Sequence, residues 1–167
     1  MRTRLRSQLL RLSDRTSGEP TFGTTDLLTV IEEMKDMQTT IDKRISILVY
    51  ADIEAAVAWL SSTFLLGPAT FTRGEDDVIH LAEVEAGDGV LWLHPESPDF
   101  KLLSPSTSGS RTAMMAVMVD DVDAHHDHAL ANGATIRYEP VDQPYGYREY
   151  GAEDCEGHLW SFMKPLS

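Results

Sequence analysis

The chain of 167 residues has the length of one domain with an extension, and its 42% hydrophobic and 25% charged residues are ordinary for a globular protein. The net charge of −13 is carried by residues 44–167, because residues 1–43 hold equal numbers of basic and acidic side chains. Such an acidic body repels phosphate backbones and anionic lipid. We therefore expect no nucleic-acid partner and no membrane partner.

The number of cysteines and the hydropathy of the chain indicate the cellular compartment. Cys155 is the only cysteine, so no internal disulfide and no thiolate metal cluster can form within one chain. No apolar run approaches the length needed to span a bilayer. These features predict a protein of a reducing cytoplasm.

Residues 1–43 are predicted to form an N-terminal extension, first basic and then helical. The Arg-rich start has no apolar h-region of a secretory signal, and residues 15–25 have the Gly, Ser, Thr and Pro content of a linker. A helix is expected from Thr25 or Asp26 to about Lys43, with one apolar stripe. That stripe needs a covering surface, which is either its own domain or a partner chain. The functional alternative is that this helix forms a lid over a pocket.

The first half of the remaining domain shows the order strand, helix and three strands. Residues 45–50 are apolar and β-branched, which favours a strand. Asp52 can cap the helix that follows, and Gly67-Pro68 is expected to end it. Three more strand patterns cover residues 69–72, 78–85 and 90–94, the last two joined by the turn Gly87-Asp88-Gly89.

The same order returns after a Pro-, Ser- and Gly-rich connection at residues 95–110. Residues 112–119 favour a strand, Asp121 can cap a helix that ends at Gly133, and residues 135–138 favour another strand. The last two strands come from the hairpin within YGYREYGAEDCEGHLWSF, which turns at Asp154-Cys155-Glu156-Gly157. In its second strand Leu159, Ser161 and Met163 lie on one face, and His158, Trp160 and Phe162 lie on the other.

The repeated order predicts an α+β fold of two tandem βαβββ modules, at about residues 44–95 and 111–165. The matching helix starts Asp52-Ile53-Glu54-Ala55 and Asp121-Val122-Asp123-Ala124 support the repeat. One module alone leaves a sheet face uncovered. We therefore expect the pair to form one curved, mixed sheet of eight strands around a cavity, with the N-terminal helical extension outside it.

The paired modules, the segment Val117 to Ala124 and the ending YGYREYGAEDCEGHLWSF resemble the vicinal oxygen chelate superfamily, which includes glyoxalases, extradiol dioxygenases and bleomycin-resistance proteins. Metal-dependent members hold a divalent ion at four inward positions. Carried over to this chain, those positions are Ile45, Trp92, Met114 and Ser161. These side chains do not offer the carboxylate, imidazole or amide donors that such ions need. The resemblance therefore implies a cavity with no metal and no other cofactor.

The cavity is expected to bind a small molecule through aromatic and sulfur-containing walls. Trp92 either offers a stacking surface to the ligand or fills the interior of the barrel. His94 lies on the same face of the strand, where it acts as a general base, contacts a polar group of the ligand, or ends the strand in solvent. Arg148 either rims the cavity or pairs with a local carboxylate. The predicted ligand-binding residues are Trp92, His94, Ile45, Ile47, Met114, Ser161, Met163, Tyr147 and Arg148.

The histidine-rich segment with His125, His126 and His128 has the composition of a metal-binding tract. Beside Asp127 on an amphipathic helix it is better interpreted as a solvated face, with His126 turned inward. No catalytic triad and no phosphate-binding loop is present in the sequence.

Three functions follow from these patterns. The first is a metal-free binding protein of the bleomycin-resistance kind that sequesters a planar, cationic or neutral compound such as an antibiotic, as a homodimer. The alternative is a metal-dependent lyase, isomerase or dioxygenase of the glyoxalase type that uses His80, His94 and Glu83. The third is an interaction module in which the helix at residues 26–43 docks on a partner.

Overall fold

The computed structural model describes residues 41–166. The predicted basic extension and nearly all of the helix expected at residues 26–43 lie outside the described residues. Residues 41–43 belong to no helix or strand. The division of the chain at residue 43 stays a prediction.

The first module contains four strands and one long helix. It consists of β1 (Ser46–Tyr50), α1 (Ile53–Thr63), β2 (Ala69–Arg73), β3 (Ile79–Ala86) and β4 (Gly89–Pro95). The strands form sheet 1 in the order β1-β4-β3-β2, in which β1 is parallel to β4 and the other pairs are antiparallel. The predicted hairpin between β3 and β4 is confirmed.

The second module repeats this topology after a connection that contains a 3₁₀ turn, Pro98–Phe100, and α2 (Pro105–Ser108). It consists of β5 (Met114–Met118), α3 (Val122–Ala131), β6 (Thr135–Asp142), β7 (Tyr147–Glu153) and β8 (Leu159–Pro165). Sheet 2 has the order β5-β8-β7-β6, with β5 parallel to β8. The prediction of two βαβββ modules is confirmed.

The eight strands differ from the expected arrangement in one respect, because they form two four-stranded sheets rather than one continuous sheet. The edge strands β1 and β5 are separated by clefts. One cleft, of ≈ 600 Å³, lies between Ser46 and Leu91 on one side and residues 115–118 on the other. Within the described residues, contacts that involve side chains therefore join the modules, rather than a ladder of backbone hydrogen bonds.

Both long helices begin at the predicted caps. The carboxylate of Asp52 accepts a hydrogen bond from Ala55 N at 3.0 Å, and that of Asp121 accepts one from Ala124 N at 3.0 Å. The prediction that α1 continues to Gly67 is wrong, since the helix ends at Thr63. Leu65 has a φ of +57°, a left-handed conformation that no helix can continue through.

One hydrophobic core joins the modules, and it lies on the faces of the two sheets that the long helices cover. Phe64, at the end of α1, lies with its ring centroid 5.5 Å from that of Trp160 and 4.8 Å from that of Phe162, both on β8. Leu91 and Leu93 of β4 are buried in the same cluster. Because side chains alternate along a strand, Trp92 and Ser161 lie on the opposite faces of their sheets. We call these the outer faces of sheet 1 and sheet 2.

The turn between β7 and β8 fastens the second module to the first. Asp154, which is 7% exposed, accepts hydrogen bonds from Tyr50 Oη at 2.6 Å and Trp160 Nε1 at 3.0 Å through Oδ2. Its Oδ1 accepts from the backbone N–H groups of Glu156 and His158 at 3.0 and 2.9 Å. The Glu156 carboxylate accepts from the backbone N–H groups of residues 51 and 52, at the start of α1. The final sequence motif therefore joins the modules.

Among residues 41–166, no helix is both long enough and apolar enough to cross a membrane.

Candidate functional site

The outer face of sheet 1 presents a fixed aromatic surface. The indole N–H of Trp92 donates a hydrogen bond to Glu83 Oε2 at 2.8 Å, and Glu83 is the residue opposite Trp92 on β3. On the other side Trp92 pairs with Ile47 of β1, whose side chain is 53% exposed. Three strands thus hold a half-buried indole beside an open apolar residue.

His94 and Ile45 lie near this surface. His94 follows Trp92 on the same face, opposite Val49 of β1, and its Nδ1 lies 3.2 Å from the carbonyl oxygen of Pro95. Ile45 directly precedes β1 and is half-buried. The structure therefore brings Trp92, Ile47 and His94 to one face, as the sequence predicted for the pair Trp92 and His94.

The outer face of sheet 2 has an open edge and a covered centre. Met114 is 50% exposed on the edge strand β5, whereas Ser161 on β8 is 1% exposed. Tyr138 covers Ser161, with its hydroxyl 3.5 Å from Ser161 Oγ. The Tyr138 ring lies over Gly151, where a Cβ would approach the ring to 2.2 Å, so this position requires glycine.

Glu149 lies at the centre of this face and is 5% exposed. Its Oε1 accepts three hydrogen bonds, from Tyr138 Oη at 2.9 Å, Tyr145 Oη at 2.7 Å and Gln143 Nε2 at 3.2 Å. Among the described residues, its Oε2 accepts only the long contact from Ser161 Oγ at 3.4 Å. Burial raises the pKa of Tyr138 above its usual value, and the hydrogen bond to Glu149 raises the pKa of Tyr145 to about 12. Both phenols therefore stay protonated donors at neutral pH.

Met163 and Tyr147 complete this outer face, but Arg148 does not join it. Met163 is half-buried and pairs directly with Glu149, and the rings of Tyr147 and Tyr145 lie 6.3 Å apart.

The interpretation of Arg148 as a cavity residue is wrong. Strand alternation directs Arg148 to the helix side of sheet 2, where it bonds Asp123 at 2.6 and 2.7 Å and Asp142 at 2.8 Å.

The residues offered for metal binding do not come together. In residues 41–166, no group of three or more His, Cys, Asp or Glu side chains is arranged to hold a metal ion. The Glu83 carboxylate accepts a hydrogen bond from Trp92, and His80 is exposed.

The interpretation of His125 as solvated is also wrong, because its ring packs on Phe162 at 4.3 Å and its pKa is lowered by burial.

Cys155 is exposed in the β7–β8 turn. Partial desolvation of the thiol, together with the neighbouring carboxylates Asp154 and Glu156, raises the pKa of Cys155 to about 12. A thiol with this pKa stays protonated at neutral pH and is a poor nucleophile.

The sequence did not identify Glu149, Tyr138 or Gly151 as members of one site. A weak signal was present, since Glu149 and Ser161 lie on the same side of neighbouring strands in the predicted hairpin. The position of Tyr138 carried no such signal, because the register between β6 and β7 shifts on both sides of this residue.

Tandem βαβββ modules with open sheet faces define the structural class of this protein, and comparison with known proteins gives its family. The model of the Glyoxalase/Bleomycin resistance protein/Dioxygenase superfamily matches residues 40–162. The chain belongs to this superfamily.

Several relatives are similar over most of the domain. The uncharacterized proteins Mb0911c of Mycobacterium bovis and Rv0887c of Mycobacterium tuberculosis are each 27% identical over 122 residues, which cover 71% of this chain and 80% and 72% of those proteins. The crystal structure of TioX from Micromonospora sp. ML1 is 29% identical, with a TM-score of 0.60 over 75% of this chain and 100% of that one. A superfamily member from Nocardioides, at 20% identity and a TM-score of 0.57, covers 83% of this chain and 94% of its own and shares the fold.

Proposed function

We propose that this protein binds a small planar organic molecule stoichiometrically, in the manner of the bleomycin-resistance members of its superfamily. The observation that carries the proposal is the Trp92 indole, which is held by Glu83 and lies beside the exposed Ile47 on an open sheet face. An aromatic ring or cation stacked on such an indole gains ~1 kcal/mol beyond the buried area. The fixed orientation lowers the entropic cost of stacking.

Charge and side-chain chemistry favour a cationic or neutral ligand, for which an antibiotic is one candidate. The net charge of −13 attracts cations and repels anions. Met114, Met118 and Met163 provide polarizable walls that adapt to flat apolar groups.

The alternative of a glyoxalase-type enzyme requires a divalent ion. The side chains at the four superfamily positions, Ile45, Trp92, Met114 and Ser161, do not fit such an ion, because three are not metal donors and the fourth is a neutral hydroxyl. Elemental analysis of protein purified without chelator tests this choice, and a stoichiometric transition metal would favour the enzyme.

The proposal includes a cytoplasmic homodimer. The edge strands expose three large apolar side chains, which are 53% (Ile47), 50% (Met114) and 59% (Met118) accessible to solvent. A second copy that covers these strands would enclose a ligand between outer faces. Sedimentation equilibrium of the full chain tests the dimer, and a monomer at all concentrations would contradict it.

The test of ligand binding uses two planar probes, proflavine as a cation and acridine as its neutral counterpart. We expect at least one probe to bind the wild type with one site per chain in isothermal titration calorimetry. Trp92→Phe should weaken that binding about fivefold, the equivalent of ~1 kcal/mol. The matched control is Trp59→Phe, since Trp59 packs against Phe64 at 4.8 Å on the helix side.

Two results would contradict the proposal. One is the absence of saturable binding of either probe, and the other is equal binding by wild type and Trp92→Phe. An effect of Trp59→Phe as large as that of Trp92→Phe would place the probe elsewhere.

A further inference from the structure

The Glu149 carboxylate has an unusual combination of burial and unbalanced charge. The side chain is 5% exposed, and its four partners among the described residues are hydroxyl and amide donors without net charge. Within residues 41–166, no Lys, Arg or His side chain forms an ion pair with it. A buried carboxylate is costly unless a counter-charge or a full set of donors compensates it.

The two cations nearest to Glu149 along β7 and β8 are directed elsewhere. Arg148 and Lys164 form the adjacent cross-strand pair, on the opposite face of sheet 2. The Arg148 guanidinium donates hydrogen bonds to the carboxylates of Asp123 and Asp142. Lys164 Nζ donates to the carbonyl oxygen of Asp120 at 2.7 Å. The chain therefore supplies cations close to Glu149 in sequence but keeps them from its carboxylate.

The donors are also distributed unequally over the two oxygens. In the part of the chain that the structure describes, Oε1 accepts three hydrogen bonds, whereas Oε2 has the single 3.4 Å contact with Ser161 Oγ. A carboxylate oxygen accepts about two hydrogen bonds. Oε2 thus keeps capacity for a short, charge-assisted bond beside the Ser161 hydroxyl and the half-buried Met163.

We propose that Glu149 is the anionic anchor of a ligand site on the outer face of sheet 2, and that its Oε2 binds a protonated amine of the ligand. Ser161 Oγ accepts a second N–H of the same ammonium group. Tyr138 and Tyr145 hold Oε1 and so fix the orientation of the carboxylate. The apolar part of the ligand lies on Met163 toward the open edge at Met118, the exposed residue opposite Met163 on β5. This inference rests on the proposed small-molecule function and specifies the ligand as an organic amine.

A matched pair of small probes tests the anchor in the full-length protein. 2-Phenylethylamine is an ammonium ion at neutral pH, and 2-phenylethanol has the same frame with a neutral hydroxyl group. Binding is followed by two-dimensional ¹H–¹⁵N NMR, in which the amide signals of residues 149, 161 and 163 report the position of the probe. We expect the amine to bind about tenfold more tightly than the alcohol, because charge-assisted hydrogen bonds are roughly twice as strong as neutral ones.

The variant Glu149→Gln keeps the size of the side chain and removes its charge, so it should abolish the preference for the amine. Glu75→Gln is the matched control, because Glu75 is exposed in the turn between β2 and β3. Glu149→Asp keeps the charge and should retain part of the preference if Glu149→Gln does not fold. Gly151→Ala displaces the Tyr138 ring and should weaken amine binding without removing the carboxylate.

The outcomes separate this inference from the proposed function. Equal binding of amine and alcohol, or a preference that survives Glu149→Gln, would overturn the anchor while leaving the Trp92 test untouched. Shift changes confined to sheet 1, or no binding of the amine at millimolar concentration, would also overturn it. Failure of both planar probes to bind would instead refute the proposed function.

Discussion

Asp154 and Glu149 are two buried carboxylates in the same hairpin, and the difference between them separates structure from function in this molecule. Asp154 faces the interior between the modules and has two donors on each oxygen. Glu149 lies on the outer face of sheet 2 and has, from residues 41–166, three donors on one oxygen and one weak contact on the other. A saturated carboxylate stabilises the fold, whereas an unsaturated one retains capacity for a ligand.

The largest expected effect is on Asp154. Asp154→Ala leaves Tyr50 Oη and Trp160 Nε1 as buried donors without their partner, and each such group costs ~1–3 kcal/mol. We expect a loss of about 3 kcal/mol in the free energy of unfolding, measured by urea denaturation. Asp88→Ala, in the exposed turn between β3 and β4, is the control and should change it little. A loss below about 1 kcal/mol would show that Asp154 does not fasten the modules.

A smaller loss is expected at Glu156. Glu156→Gln removes the negative charge at the start of α1 and weakens the two bonds to the backbone N–H groups of residues 51 and 52. Capping and helix-dipole effects of this kind are worth ~1 kcal/mol. The same urea titration measures the change, and 1 M salt should reduce the difference between Glu156→Gln and wild type.

Glu149→Gln is expected to change stability least of the three. The amide oxygen of Gln can still accept from Tyr138 and Tyr145, and the variant removes a buried charge that has no ion-pair partner in the described residues. We expect the free energy of unfolding to stay within ~1 kcal/mol of wild type or to increase. Comparison with Asp154→Asn by urea denaturation sharpens the contrast, since that variant should destabilise. An equal loss for both would mean that Glu149 is structural too.

The smallest effect is a shift in one titration. Tyr145 has its pKa raised to about 12 by the hydrogen bond to Glu149. This bond therefore contributes stability below the unfolded-state pKa near 10, and the contribution is lost as the pH rises through about 12. Glu149→Gln should lower the pKa of Tyr145 toward its usual value. Phenolate absorbance at 295 nm measures the shift, with Tyr145→Phe to assign the signal; no change in Glu149→Gln would contradict the bond.

How much of the fold was predictable depended on how local each feature is. The caps Asp52 and Asp121 and the alternation along β8 involve residues a few positions apart, so the sequence located them. The end of α1 was misplaced because Phe64 leaves the helix to pack on β8, a contact about one hundred residues away in sequence. The interpretation of His125 failed for the same reason, since Phe64 and Tyr150 bond its ring from other elements.

The sequence by itself determined the two βαβββ modules, the superfamily and the placement of Trp92 and His94 on one face of a strand, because periodicity and capping are short-range properties of the chain. Only the tertiary structure decided that β1 and β5 do not share backbone hydrogen bonds, that Arg148 faces α3, and that Tyr138 crosses Gly151 to bury Glu149 and Ser161. These features depend on how separate strands are placed side by side. The capacity of a carboxylate oxygen for a ligand is set by such neighbours, which the order of residues along one strand does not specify.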